Sequence, residues 1–112
     1  MYINNFFFPW YLETVPIGTH EAIVSAVNYA FDSKHITIDW YIPSVDKTLK
    51  QYLTKSNSFL SGEQEIRRMI CLNLGIKSFN FHDLIGKKFL ITVSLKSNQF
   101  EIKIKNILFK EI

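Results

Sequence analysis

From Leu84 to Phe109 the sequence reads LIGKKFLITVSLKSNQFEIKIKNILF, and its period-two alternation leaves few folds open. Phe89, Ile91, Val93 and Leu95 fall on one face of an extended chain, with Leu90, Thr92, Ser94 and Lys96 on the other. Past Ser97-Asn98-Gln99, Phe100, Ile102 and Ile104 alternate against Glu101, Lys103 and Lys105. This is a basic two-strand hairpin with a short turn. Its apolar face must bury against a core, while the lysines of the second strand keep the opposite face wet. The hairpin is therefore both a structural wall and a cationic surface.

A wall needs a core to lean on. At 112 residues the chain fits one domain, 1–112, large enough for a single core and too small for two. Hydrophobic residues at 47% and aromatics at 15% place it among chains that fold. The net charge of +3 is unevenly distributed. Residues 1–33 hold Glu13, Glu21 and Asp32 with no Lys or Arg, giving −3, whereas 85–112 hold six lysines against Glu101 and Glu111, giving +4. Such polarity suits attraction of a polyanion, and equally a lysine face kept for solubility.

Several classes fall away. Cys71 is the single cysteine, so no internal disulfide can form and a reducing compartment is expected; within an apolar helix pattern it reads as a small buried hydrophobe. His20, His35 and His82 are scattered, so no metal is expected, nor any cofactor. Gly18, Gly62, Gly75 and Gly86 lie too far apart to cradle a triphosphate, no nucleophile elbow occurs, and the carboxylates are dispersed over turns and strands. The expectation is a non-enzyme without catalytic residues. MYINNFFFPWYL lacks a basic n-region and nothing approaches the about 20 apolar residues of a membrane span, so a soluble cytoplasmic protein with no membrane association is expected.

Ahead of the first strand lies an aromatic arm, residues 1–17, in which Phe6, Phe7, Phe8, Trp10, Tyr11 and Leu12 crowd together. They cover the open end of the core, bind a neighbouring subunit, or stack on bases. His20 to Phe31 reads as a mostly apolar strand; its alanines make helix a competitor, and the recurrence of Ile, Val, Tyr and Phe favours strand. His35 to Pro43 alternates most cleanly, with Ile36, Ile38, Trp40 and Ile42 pointing to the core and Thr37, Asp39 and Tyr41 to solvent or ligand. Thr48 to Thr54 is a short strand that dissolves into Ser56-Asn57-Ser58. Ser61 to Gly75 is an amphipathic helix capped by Ser61 and Gln64, stopped by Gly75, and buried along Ile66, Met69, Ile70 and Leu74. Arg67 and Arg68 flank that stripe and are expected to pair with Glu63 or Glu65.

The order is strand, strand, short strand, helix, strand, strand. A mainly β, five-stranded barrel with one helix between strands 3 and 4 is the oligonucleotide-binding, or OB, fold. A rolled α+β sheet has the same order. Lysines interleaved with aromatics suit single-stranded nucleic acid, where cations follow the backbone and rings take bases. On that reading Lys47, Lys50, Lys55, Lys96, Lys103 and Lys105 hold phosphates, and Tyr29, Tyr41, Tyr52 and Phe59 stack, with Tyr41 and Tyr52 foremost. Asp39, beside Tyr41, opposes phosphates on this face. A lysine-guarded strand edge produces the same interleaving.

The segments Gly18-Thr19-His20-Glu21-Ala22-Ile23-Val24, Ile36-Thr37-Ile38-Asp39-Trp40-Tyr41-Ile42, Leu74-Gly75-Ile76 and Asp83-Leu84-Ile85-Gly86-Lys87-Lys88-Phe89-Leu90-Ile91-Thr92-Val93 together resemble small single-stranded-DNA-binding proteins of phages and mobile elements. The resemblance spans about 90 residues in order. It implies an OB barrel that binds single-stranded DNA without sequence preference during phage or element replication or recombination, in the host cytoplasm if phage-encoded. A single small barrel covers few nucleotides and tight binders often combine several, so a homo-oligomer, alongside replication or recombination proteins, is among the partners to test for. His20 stands where the pattern prefers an aromatic, and Phe109-Lys110-Glu111-Ile112 is not the acidic tail by which many bacterial single-strand binders recruit partners. The second reading is a protein-interaction module that docks such a partner through the aromatic arm; a structural virion protein is the third.

Overall fold

The computed structural model describes residues 15–29, 35–54, 62–97 and 99–112. They form β1 (Gly18–Tyr29), β2 (His35–Ile42), β3 (Lys47–Thr54), α1 (Gly62–Leu74), a 3₁₀ helix (Phe81–Leu84), β4 (Lys88–Lys96) and β5 (Gln99–Ile107). One five-stranded sheet runs in the order β3-β2-β1-β4-β5, antiparallel at every step. The protein is thus mainly β, with its helix between the third and fourth strands. The sheet is open, with β3 and β5 as its edges. Residues 1–14 of the aromatic arm, Lys55, Phe59 and the Ser61 cap lie outside the described residues.

β1 holds the sheet together because it pairs on both sides. Gly18 to Ile23 pair with β4, and Ile23 to Tyr29 pair with β2. The hand-over occurs at a bulge between Val24 and Ala26, where Ser25 is the extra residue and its hydroxyl donates to Asp39 O at 3.2 Å. Val24 is also tied to the turn ahead of β4, donating to Lys87 O and accepting from Gly86 N. The strand begins two residues before the expected His20, because Gly18 and Thr19 are drawn into the ladder opposite Val93 and Thr92. Burial of Ala22, Val24 and Val27 between two partners overrides the helix preference of alanine.

The core is built from alternate residues. Ile36, Ile38, Trp40 and Ile42 of β2 are all fully buried, as are Phe89, Ile91 and Val93 of β4. Trp40 meets Phe89 edge-on at 5.1 Å between ring centroids, and Phe89 meets Phe109 at 5.0 Å. Leu95, expected on the buried face, is exposed, near the turn end of β4 opposite half-buried Phe100.

α1 buries Ile66 and Ile70 and half-buries Met69 and Leu74, as its apolar stripe requires. Its start lies hard against β3, since a Cβ on Gly62 would come 2.9 Å from Leu53 Cδ2. Its end is a Schellman closure, with Gly75 at φ +68° and Ile76 N donating to Cys71 O at 3.1 Å. Cys71 is only half-buried, not a core residue, because it falls beside the stripe next to exposed Leu72. Arg67 pairs with buried Glu63 at 3.1 Å, donates to Phe79 O at 2.6 Å and packs its guanidinium over Phe79 and Phe81. That anchor fixes the connector between α1 and β4, which carries the 3₁₀ helix. There Asn80 Oδ1 accepts from His82 N at 3.0 Å and Asp83 Oδ2 accepts from Asn80 N at 3.3 Å, starting the 3₁₀ helix.

Candidate nucleic-acid interface

Because the apolar residues of β2 point inward, Thr37, Asp39 and Tyr41 must point outward. On β3 the same logic sends Leu49, Gln51 and Leu53 inward and Thr48, Lys50 and Tyr52 outward. The ladder sets Thr37 opposite Tyr52, Asp39 opposite Lys50, and Tyr41 opposite Thr48. Tyr41 and Tyr52 therefore share one outer face, on opposite sides of the Asp39–Lys50 row.

Tyr52 is 71% exposed and offers its ring to any ligand on this face. Tyr41 is half-buried and fixed: its hydroxyl donates to Asp46 Oδ1 at 2.7 Å. The hydrogen bond to Asp46, with lesser contributions from burial and from the carboxylate's charge, raises the Tyr41 phenol above the ordinary tyrosine value. Asp46 reaches back because it turns the hairpin with a positive φ of 53°. Lys50 Nζ stands 3.2 Å from Asp39 Oδ1, an ion pair without the alignment of a hydrogen bond, so that this shielded oxygen has no hydrogen-bond donor. Lys47, exposed at the turn end of β3 opposite Ile42, balances Asp46 in charge. With Asp39 and Asp46 against Lys47 and Lys50, the described part of the β2–β3 hairpin is electrically neutral.

The remaining candidates lie elsewhere. Tyr29 is opposite buried Ile36, on the inner side of β1, with its ring 5.1 Å from His82 and its hydroxyl 3.5 Å from Asn80 Oδ1. It does not join Tyr41 and Tyr52. The bulge at Ser25 explains why: before it Ala22 and Val24 face in, after it Val27 and Tyr29 do, so parity counted straight along the strand fails. Lys96, Lys103 and Lys105 belong to the outer surface of β4 and β5. Lys96 flanks the β4–β5 turn beside Phe100 and Glu101, Lys103 pairs in register with Thr92, and Lys105 is the extra residue where the ladder steps from Ile91–Ile104 to Leu90–Asn106.

One inward residue links the two surfaces. Gln51 Oε1 accepts from Trp40 Nε1 at 2.9 Å, and Gln51 Nε2 donates to Ile102 O at 2.9 Å. The sheet must coil until its edges face one another for this bond to form, and α1 packs on both β3 and β5 over the gap. Lys50 and Tyr52, on either side of Gln51, then flank the same seam as Lys103, the residue after Ile102. A groove of about 380 Å³ opens there, its described lining including Leu53, Ile66, Met69 and Ile102. Gln51 was missed as a site-forming residue, although a lone amide between Leu49 and Leu53 in an alternating row is a legible signal of a buried polar link.

Among the described residues, no group of three or more His, Cys, Asp and Glu comes together as a metal-binding set, and no helix is long and apolar enough to cross a membrane. No protein-family model matches the sequence, and no curated protein matches it.

Proposed function

We propose that the protein binds single-stranded DNA without sequence preference, as a non-enzymatic OB-type module serving replication or recombination of a phage or mobile element. The observation that carries this reading is the outer face of β2–β3, where exposed Tyr52 and tethered Tyr41 stand on either side of a lysine. Base–ring stacking is worth about 1–3 kcal/mol per base and is indifferent to sequence. In OB folds the face of strands 2 and 3 is the one that takes oligonucleotides. The strand order, the double pairing of β1, the Gln51 link and the helix over the seam support reading the open sheet as the wall of such a barrel, stitched between β3 and β5 by a side chain. Lys103 beside the seam and Lys96 by the β4–β5 turn then supply phosphate contacts at the margins of the aromatic face. The phage or mobile-element setting rests on the sequence resemblance.

Fluorescence-anisotropy titration of a labelled mixed-sequence single strand at two salt concentrations, with duplex as competitor, tests the reading. Tight, salt-dependent binding that duplex fails to displace is expected. Absence of binding at low salt overturns it.

A further inference from the structure

We propose that Asp39 is the selectivity residue of the aromatic face: by pairing with Lys50 between Tyr41 and Tyr52, it cancels the cation there, so that the face accepts unstacked bases and gives duplex phosphate no foothold. The inference rests on the single-strand reading and adds to it the residue that discriminates between strands.

The register dictates the geometry. Outward rows on a strand repeat every two residues, roughly 6.6 Å, so Tyr41 and Tyr52 stand two rows, or roughly 13 Å, apart along the hairpin. The row between them is Asp39 and Lys50. Any strand whose bases reach both rings crosses that pair. Asp39 is also a fixed part of the wall: its side chain is 22% exposed against 46% for Lys50, its carbonyl accepts the Ser25 hydroxyl at the bulge, and fully buried Trp40 follows it. Lys50 therefore meets a part-buried anion on a fixed stretch of backbone.

The consequence differs for the two kinds of ligand. A duplex keeps its bases stacked inside and offers chiefly phosphate, at one charge per about 1.7 Å of axis, so its binding depends on uncancelled cations. A single strand offers bases to the rings as well, and stacking survives the loss of one phosphate contact. Cancelling a lysine at the centre of the face thus penalises duplex more than single strand. Lys103 and Lys105 of β5, which form no ion pair among the described residues, remain for the part of the backbone that leaves the rings.

The test is a salt titration of the 112-residue chain, as wild type and as Asp39→Asn, with labelled single strand and labelled duplex of the same sequence. Asp39→Asn is expected to steepen the log–log salt slope by roughly 0.7 for single strand and roughly 0.9 for duplex, and to narrow the affinity ratio between them. An unchanged slope and ratio in a variant with wild-type circular dichroism overturns the inference alone. The charge-neutral double variant Asp39→Asn/Lys50→Gln covers the case in which the single change fails to fold: it is expected to restore the wild-type slope. A slope roughly 0.7 shallower than wild type would show that Lys50 already holds a phosphate in the native protein, which also overturns it. Wild type that binds neither ligand overturns the single-strand reading, and this inference with it.

Discussion

The β2–β3 and β4–β5 hairpins are built alike and finished differently. Each turns a row of large apolar residues to the shared core, Ile36, Ile38, Trp40 and Ile42 in one, Phe89, Ile91 and Val93 in the other. Outward, the first carries two tyrosines with its charges balanced. The second, from Lys88 to Ile107, carries four lysines against Glu101 and no outward aromatic ring. Inward residues decide that a wall forms, and outward residues, free of that duty, decide what the wall meets. An aromatic and a cationic outer surface are thereby divided between two hairpins that touch through the Gln51 seam.

The division can be broken first at the core the hairpins share. Trp40→Ala should cost about 3–5 kcal/mol in urea denaturation, since it empties the contact with Phe89 and leaves Gln51 Oε1 without its donor, and both faces should lose binding together. Gln51→Leu keeps the volume but removes the link, leaving Trp40 Nε1 and Ile102 O without that partner; a loss of about 1–3 kcal/mol is expected from the same measurement. Tyr52→Ala tests the aromatic face alone. It should weaken single-strand binding by about 1–3 kcal/mol in anisotropy while shifting stability by less than about 0.5 kcal/mol, because the ring is exposed. Lys103→Gln with Lys105→Gln tests the cationic face: the salt slope should fall by roughly 0.7 for each lysine that holds a phosphate, with the stacking contribution intact at high salt.

The finest distinction concerns the proton on Tyr41. The Asp46 hydrogen bond favours the neutral phenol in the folded state, so the folded protein holds this proton more tightly than the unfolded chain does. Its contribution to stability is then present below the ordinary tyrosine pKa and is lost as pH rises through the raised value. An absorbance titration of wild type minus Tyr41→Phe should place this phenol above the ordinary range, and Asp46→Asn should return it downward.

Much of the fold could be read from the order of residues. β2 announces itself through Ile36, Ile38, Trp40 and Ile42 because two-residue spacing is a local property that neighbours in space do not alter. α1 is equally local in its stripe and its Gly75 stop. What escaped depends on residues distant in sequence. The bulge at Ser25 exists because β1 must serve β2 and β4 at once, and it moved Tyr29 away from the face shared by Tyr41 and Tyr52. The Asp39–Lys50 pair needed the β2–β3 register, so Asp39 read as a lone negative charge opposing phosphate and Lys50 as a phosphate ligand. The 3₁₀ helix had a visible cue in Asn80 and Asp83 three apart, obscured by the aromatic run around it. Residues 1–14 of the aromatic arm, Lys55 and Phe59 fall outside the described residues.

The double pairing of β1 also sets the tempo at which the molecule is made. β2–β3 and β4–β5 join neighbours in sequence and close short loops, whereas Gly18 must find Val93 and Ile23 must find Lys88 across most of the chain. Loop-closure entropy makes that second meeting the expensive one. A nascent chain can therefore complete the β2–β3 hairpin well before β4 leaves the ribosome, while the first half of β1 waits with an unpaired edge. The strand that unifies the finished sheet is, during synthesis, its most exposed adhesive edge.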